Sequence, residues 1–279
     1  MAEWVETYRG IVNAWETDTV EHFTIAYYFD RFADASANFF DLTGMPDISA
    51  RLPARLHATF QHELRAGAGF HILSAVTHLD DGTMHLGHQV TDSTSGAPVT
   101  WVTEVIRLQE PLSAGSRQRL ERHLVEWPGP KMPAHRSVKS SGGMLTARDR
   151  VKPWELSQAD TLSLSAHVHR FSSAALQSLS AIGITSAYMH EEKRGFSTFA
   201  LDLTTSRGAT VGERIDVHTV VAHLSNSSLE IVHRMTDRDG RELATLGQGG
   251  VHLDMVARRS TKIPDSLRAL ATKLLIQDA

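Results

Sequence analysis

The apolar positions of this chain change period along its length. Ile25, Tyr28, Phe32, Ala35 and Phe39 recur at steps of three and four, the spacing of a helix with one buried face. Gly44 stands where a helix-terminating glycine is expected. The stretches His57–Arg65, Phe70–Leu79, Thr83–Thr91 and Val99–Leu108 then read as strands, with Asp80-Asp81-Gly82 supplying turn chemistry. The order repeats. A second long helix ends near Gly183, and strands follow at Phe196–Leu203, Ile215–Leu224, Ser228–Thr236 and Leu243–Leu253, with Asp239-Gly240 as a turn. A short helical tail begins near Pro111 and another near Pro264. One helix followed by hairpin-linked strands predicts an α+β unit, an antiparallel sheet packed on a long helix.

The repetition extends to residue identities. A shift of 139 places Trp15-Glu16 on Trp154-Glu155, Arg31-Phe32 on Arg170-Phe171, Ala35 on Ala174 and Gly44 on Gly183. A shift of 145 places Gly67 on Gly212, His78-Leu79 on His223-Leu224 and His88 on His233. Ordered matches along both halves, with only loop-sized changes of shift, indicate an internal duplication. The expected domains are residues 1–126 and 147–279, joined by a proline-rich linker over 127–146.

Composition narrows the function classes. The chain has 279 residues, 41% hydrophobic and 22% charged, with a formal net charge of −4; that balance points to neither nucleic acid nor a membrane surface as partner. There are no cysteines, which excludes disulfides, thiolate nucleophiles and cysteine-based zinc sites. Without a signal-peptide pattern at the N-terminus or an apolar run of about 20 residues, a soluble, cytoplasmic protein is the expectation.

Candidate chemistry lies before the first long helix. The polar cluster Trp15-Glu16-Thr17-Asp18-Thr19-Val20-Glu21-His22 reads as running directly into it, and a helix start offers unpaired N–H groups and partial positive charge to a carboxylate or an oxyanion. Asp18 also suits a helix cap, and Glu21 a partner for the helix dipole. The sixteen histidines form no set with metal-ligand spacing; His167 and His169, the closest pair, point to different helix faces. No metal or cofactor is expected. The glycines at 67 and 69 and at 247, 249 and 250 read as bends or bulges rather than a nucleotide loop. Arg117 to Arg122 reads as a solvated helix face. Trp15 and Trp154, present in both copies, read as packing residues.

The run W-E-x-D-x-x-x-H at Trp15 to His22, the long helix after it, and Glu63-Leu-Arg-Ala-Gly67 leading into consecutive strands resemble hotdog-fold acyl-CoA thioesterases of the 4-hydroxybenzoyl-CoA thioesterase type. The tandem arrangement resembles the double-hotdog members, and the resemblance covers nearly the whole chain. It implies an acyl-CoA thioesterase that needs no cofactor. In the family's D-x-x-G-H-x-N run, Asp18 and His22 match, while Glu21 holds the glycine position and Thr24 the asparagine position. The second copy has Ser157, Asp160 and Thr161 at the positions of Asp18, Glu21 and His22, which implies one site per chain. By the same resemblance Asp18 is general base or nucleophile, with His22 and Thr24 orienting substrate or water. Backbone N–H groups near Glu21 and His22 would bind the oxyanion. Tyr27, Tyr28 and Phe32 would line the acyl pocket, and Arg258, Arg259 and Lys262 would meet the CoA phosphates. A homo-oligomer, most simply a dimer, is expected. Two other functions fit the resemblance: binding of acyl-CoA or another small ligand without catalysis, and a hydratase or dehydratase acting on enoyl- or hydroxyacyl-CoA, although the hydratase run D-x-N-P-x-H is missing.

Overall fold

The computed structural model describes residues 3–18, 20–45, 53–134 and 143–276. In the first half the chain runs β1 (Val5–Ile11), a one-turn 3-10 helix (Ala14–Glu16), α1 (Ile25–Leu42), β2 (Arg55–Phe60), β3 (Gly69–Leu79), β4 (Thr83–Asp92), β5 (Pro98–Arg107) and α2 (Ala114–Glu121). The second half repeats the order as β6 (Met144–Arg150), a 3-10 turn (Pro153–Glu155), α3 (Leu164–Ala181), α4 (Ser186–Glu192), β7 (Arg194–Thr205), β8 (Arg214–Leu224), β9 (Ser228–Thr236), β10 (Glu242–Asp254), β11 (Arg259–Ser260) and α5 (Asp265–Lys273).

Two compact units result, residues 1–133 with 155–168 and residues 134–154 with 169–279. The first contains an antiparallel sheet in the order β1-β3-β4-β5-β2, and the second contains β6-β8-β9-β10-β7 with β11 added to β10. The same order twice, with a long helix before each set of hairpin-linked strands, is the tandem hotdog α+β architecture.

Helix α1 buries Ala26, Tyr28, Phe29, Phe32, Ala35, Ser36, Phe39 and Phe40, the stripe the period of three and four requires. Full burial of its four phenylalanines contributes about 1.5–3 kcal/mol each. Phe39 and Phe40 meet Val76, Met84, Leu86, Ile106 and Leu120 in one apolar cluster; Leu179, Ile182, Ile184, Leu229, Ile231 and Leu267 form its counterpart in the second unit. Both long helices stop the same way. Gly44 and Gly183 adopt φ of 71° and 93°, and the next N–H reaches back, Met45 to the Phe40 carbonyl and Ile184 to that of Leu179, which caps two otherwise unpaired carbonyls.

Several expectations are corrected. Strands β1 and β6 precede the long helices and were not anticipated; neither was α4. The strand expected to reach Arg65 ends at Phe60, so Glu63 and Arg65 lie on a loop. Within the stretch expected as a linker, Trp127 lies over Gly87, where a Cβ would sit 2.5 Å from the indole, and its ring is 5.3 Å from that of Trp101. Strand β6 already begins at Met144, and residues 135–142 lie outside the described residues. Trp15 and Trp154 do not pack as expected; they are 76% and 80% exposed. The Glu16 beside Trp15 is the residue turned inward. The glycine-rich run in β10 does carry a bulge, between Gly249 and Gly250.

Candidate functional site

Helix α1 begins at Ile25 with Thr24 as its cap residue, so the polar cluster precedes the helix and forms a tight turn of its own. The N–H of Asp18 donates to the His22 carbonyl at 2.8 Å, and that of Glu21 to the Asp18 carbonyl at 3.0 Å. Asp18 Oδ1 accepts from the N–H of Val20 at 2.9 Å and of His22 at 3.0 Å. Glu21 closes the turn at φ 64°.

The second copy builds the same turn with other residues. Ser157 N–H donates to Thr161 at 2.7 Å and Asp160 N–H to Ser157 at 3.1 Å, Ser157 Oγ accepts from Ala159 N–H at 3.2 Å, and Asp160 sits at φ 54°. Asp18 and Ser157 therefore share a task, since each turns a side-chain oxygen onto the backbone two residues on. The glycine position of the resemblance also gains a physical reason: both copies need a left-handed residue there, and both fill it with an acid. Glu21→Gly or Asp160→Gly removes the left-handed penalty at some entropic cost, so each is expected to stabilise the chain by about 0.5 kcal/mol. Thermal unfolding of the two single variants and the double checks it, a drop in midpoint counting against the strain.

The turn is held to the rest of the first unit by Glu16. Its Oε2 accepts from the Asn13 N–H at 2.9 Å and the Asn13 amide at 3.1 Å. Its Oε1 pairs with Arg31 of α1, while its backbone carbonyl accepts from Thr24 N–H at 2.8 Å. Arg31 also lies 5.6 Å from the ring centre of Tyr8 and bonds Asp30 at 2.6 Å. The Trp-Glu and Arg-Phe pairs that mark the repeat thus include a buried clamp between turn and helix.

The loop before β3 brings in the residues that complete the site. Phe23 N–H donates to the Leu64 carbonyl at 2.8 Å, and His22 forms a bridge with Arg65. That pairing sets His22 Nε2 3.2 Å from Glu63 Oε2 and 3.1 Å from an Arg65 guanidinium nitrogen, while Arg65 reaches Glu21 at 3.5 Å. One ring nitrogen faces a pure acceptor and a pure donor. Protonated it serves Glu63, and unprotonated it accepts from Arg65, so the surroundings accommodate both states a proton-transfer group passes through. His22 is partly buried and Glu63 is exposed; Glu21 is 82% exposed at the side chain.

The oxyanion donors expected at Glu21 and His22 are already engaged, since both N–H groups serve Asp18. The N–H groups of Ile25 and Ala26, in the first turn of α1, have no acceptor among the described residues, and the Thr24 hydroxyl makes no capping bond. Tyr27 is half-buried, 6.3 Å from the Phe23 ring. Tyr28 and Phe32, expected along an acyl pocket, are core residues of the first unit. Burial pushes the Tyr28 phenol well above its usual range, although the Leu64 backbone hydrogen-bonds to it; Phe32 stacks on His88 at 6.3 Å. Arg258, Arg259 and Lys262 lie on or just after the β10–β11 turn of the second unit, where Lys262 pairs with Asp265 at 3.0 Å. Glu63 and Arg65 stand in the Glu63-Leu-Arg-Ala-Gly67 run of the resemblance, the one signal of them in the sequence, which carries no chemistry for either by itself. No helix among the described residues is long and apolar enough to cross a membrane.

Solved structures with the same fold cover nearly the whole chain. A Lactobacillus plantarum protein described as an oleoyl thioesterase superposes with a TM-score of 0.73 at 10% identity, covering 90% of this chain and 97% of its own. An acyl-ACP thioesterase from Bacteroides thetaiotaomicron gives 0.70 at 9% identity over 87% and 96%. The 12:0-ACP thioesterase from Umbellularia californica gives 0.67 at 12% over 88% and 93%. At these identities the likeness concerns the fold. No curated protein matches the sequence. The family model of the thioesterase-like superfamily, however, matches residues 12–127 and again 151–270, one match for each copy of the duplication, and the chain belongs to that superfamily.

Proposed function

We propose that this protein hydrolyses acyl thioesters carried on coenzyme A or on an acyl carrier protein, at the turn before α1. The family match over both copies carries the reading, and the His22–Glu63 contact at 3.2 Å supplies a local acid–base pair. His22 takes a proton from water while Glu63 steadies the imidazolium that forms. The resulting hydroxide attacks the thioester carbonyl, and the N–H groups of Ile25 and Ala26 receive the oxyanion. Collapse of the tetrahedral intermediate breaks the C–S bond, and the proton on His22 passes to the departing thiolate. Asp18 holds the turn that aims His22. This departs from the expectation of Asp18 as base or nucleophile, because its Oδ1 is taken up by two backbone donors and Ser157 fills the same structural place in the second copy.

The reading is tested by thiol release from a panel running from acetyl- to long-chain and aromatic acyl-CoA, with matched acyl-ACPs. Turnover on one acyl class, with a preference for one carrier, supports it and names the substrate. Thermal stabilisation by thioesters with no thiol released on any carrier would establish a binding protein instead.

A further inference from the structure

The second unit holds a cavity of about 490 Å³ whose walls are charged. Four arginines line it: Arg150 at the end of β6, Arg214 at the start of β8, and Arg238 and Arg241 on the β9–β10 turn. Such walls do not suit an acyl tail, and the proposed reaction uses none of these residues.

The fold does not ask for them. The first unit builds the same corner with the same bonds. Val12 N–H donates to the Ala68 carbonyl at 3.0 Å, and Val151 N–H to that of Glu213 at 3.1 Å. Asp92 N–H donates to the Ala97 carbonyl at 3.0 Å, and Asp237 N–H to that of Arg241 at 2.9 Å. In that register Arg150 stands where the first unit has Ile11, Arg214 where it has Gly69, Arg238 where it has Ser93 and Arg241 where it has Ala97. The first unit thus closes its corner with no cation at any of the four positions.

The arrangement is also unfavourable by itself. Arg150 and Arg214 stand directly opposite each other across the β6–β8 pair, where like charges destabilise a sheet; the matching pair in the first unit is Ile11 with Gly69. Arg150 donates to the Gly212 carbonyl at 2.8 Å and Arg214 to that of Arg238 at 3.2 Å, acceptors with no charge to offset theirs. Arg214 Nε is buried with no acceptor among the described residues. Asp216, 3.5 Å from Arg214, is already held by Arg148 at 2.8 and 2.9 Å.

Around the cavity the carboxylates are outnumbered. Glu213 and Asp237 share Arg207. Asp237 also takes Arg241 at 2.8 Å, and Asp239 takes Arg241 at 2.8 Å and Arg238 at 3.6 Å. Five guanidiniums thus meet three carboxylates, a local positive excess on a chain whose formal net charge is −4. Uncompensated guanidiniums gathered in a concave site match one ligand chemistry, because their planar forks hold phosphoryl oxygens two at a time.

We propose that this cavity binds the phosphoryl group of a small phosphorylated ligand, with Arg150 and Arg214 as its anchors and Arg238 and Arg241 as further donors. A dianion there supplies the acceptor that Arg214 Nε lacks and relieves the repulsion across the strand pair, so occupancy stabilises the fold.

The test titrates the full-length protein by calorimetry with inorganic phosphate, pyrophosphate and adenosine 3′,5′-bisphosphate, and follows the unfolding midpoint in parallel, with sodium chloride at matched ionic strength as control. The phosphate probes should bind and raise the midpoint, and chloride should not. Tightest binding of the bisphosphate would support the site and assign it to a nucleotide-linked phosphate; tightest binding of pyrophosphate or phosphate would support it and assign it to a free anion. The variant Arg150→Ile, Arg214→Gly, Arg238→Ser, Arg241→Ala gives the second unit the residues of the first and should abolish binding. Arg150→Gln alone is the milder change. It relieves the like-charge pair, so the unliganded midpoint should hold or rise, while affinity for the tightest probe falls by about tenfold, the worth of one charge-assisted bond. Equal midpoint shifts with chloride and pyrophosphate would overturn the proposal, and so would undiminished binding by Arg150→Gln. Binding is read directly, so the result does not depend on whether thioesters are hydrolysed.

Discussion

His22→Gln and Glu63→Gln should each lower thioester turnover, the first by about 10²–10⁴-fold, the range general acid–base catalysis contributes, while Asp18→Asn should stay within a few-fold of the parent. The order follows from the contacts each change removes. Glutamine at 22 keeps the backbone N–H that donates to Asp18 Oδ1 at 3.0 Å, so the turn survives and only the proton-transfer nitrogen is lost. Glutamine at 63 leaves a neutral oxygen opposite the ring, 3.2 Å from Nε2 in the parent, and no longer stabilises its cation. Asparagine at 18 retains a carbonyl oxygen for the two backbone donors, which is all that the turn asks of that residue. Thiol release on the best acyl thioester, with circular dichroism to confirm folding, separates the possibilities. A folded Asp18→Asn protein without turnover, beside an active His22→Gln protein, would return the role of base or nucleophile to Asp18.

The second large effect is structural. Replacing Arg31 by methionine, or Glu16 by alanine, should cost about 3 kcal/mol, the lower end for breaking a buried ion pair, and lower the melting temperature by about 6–12 °C for a protein of this size. Glu16 is almost wholly buried and holds two Asn13 donors as well as Arg31. Without Arg31 its charge has only those donors; without Glu16 the 3-10 turn loses its tie to α1. The paired variant Glu16→Ala with Arg31→Met should cost clearly less than the two single changes added together, because it leaves no buried charge unpaired. Additive losses in that cycle would mean the clamp is a set of independent contacts. Activity should fall with stability in Glu16→Ala, since the Glu16 carbonyl and side chain also hold the segment that carries His22.

The outline of the fold is readable from local pattern. The stripe from Tyr28 to Phe40 is long and strongly periodic, and no strand could bury it on one face. Gly44 marks its end, and Gly183 that of the second long helix, because only a residue free to adopt positive φ closes a helix that way at low cost. The hairpin strands β3, β4, β8 and β9 announce themselves by residue type and turns. Strands β1 and β6 do not, for a physical reason. Within Val5–Ile11 only Thr7 is fully buried, and within Met144–Arg150 only Thr146, so the residue each strand turns inward is a polar link in a hydrogen-bonded chain and leaves no apolar alternation to detect.

The sequence by itself determined the duplication, the two long helices with their glycine ends, the antiparallel hairpins and the region in which to look for chemistry. These rest on spacing and residue type, which act over a few positions along the chain. Only the tertiary structure decided what the residues of that region do. Asp18 becomes a turn-holding residue because a left-handed Glu21 breaks the chain before the helix begins. Glu63 joins His22 from a loop far along the chain through the bridge that Arg65 makes, and His88 lies beside Ser36 and Glu104 while His233 lies beside Gln248. Such roles depend on which groups burial brings within hydrogen-bonding distance, and no local pattern records that.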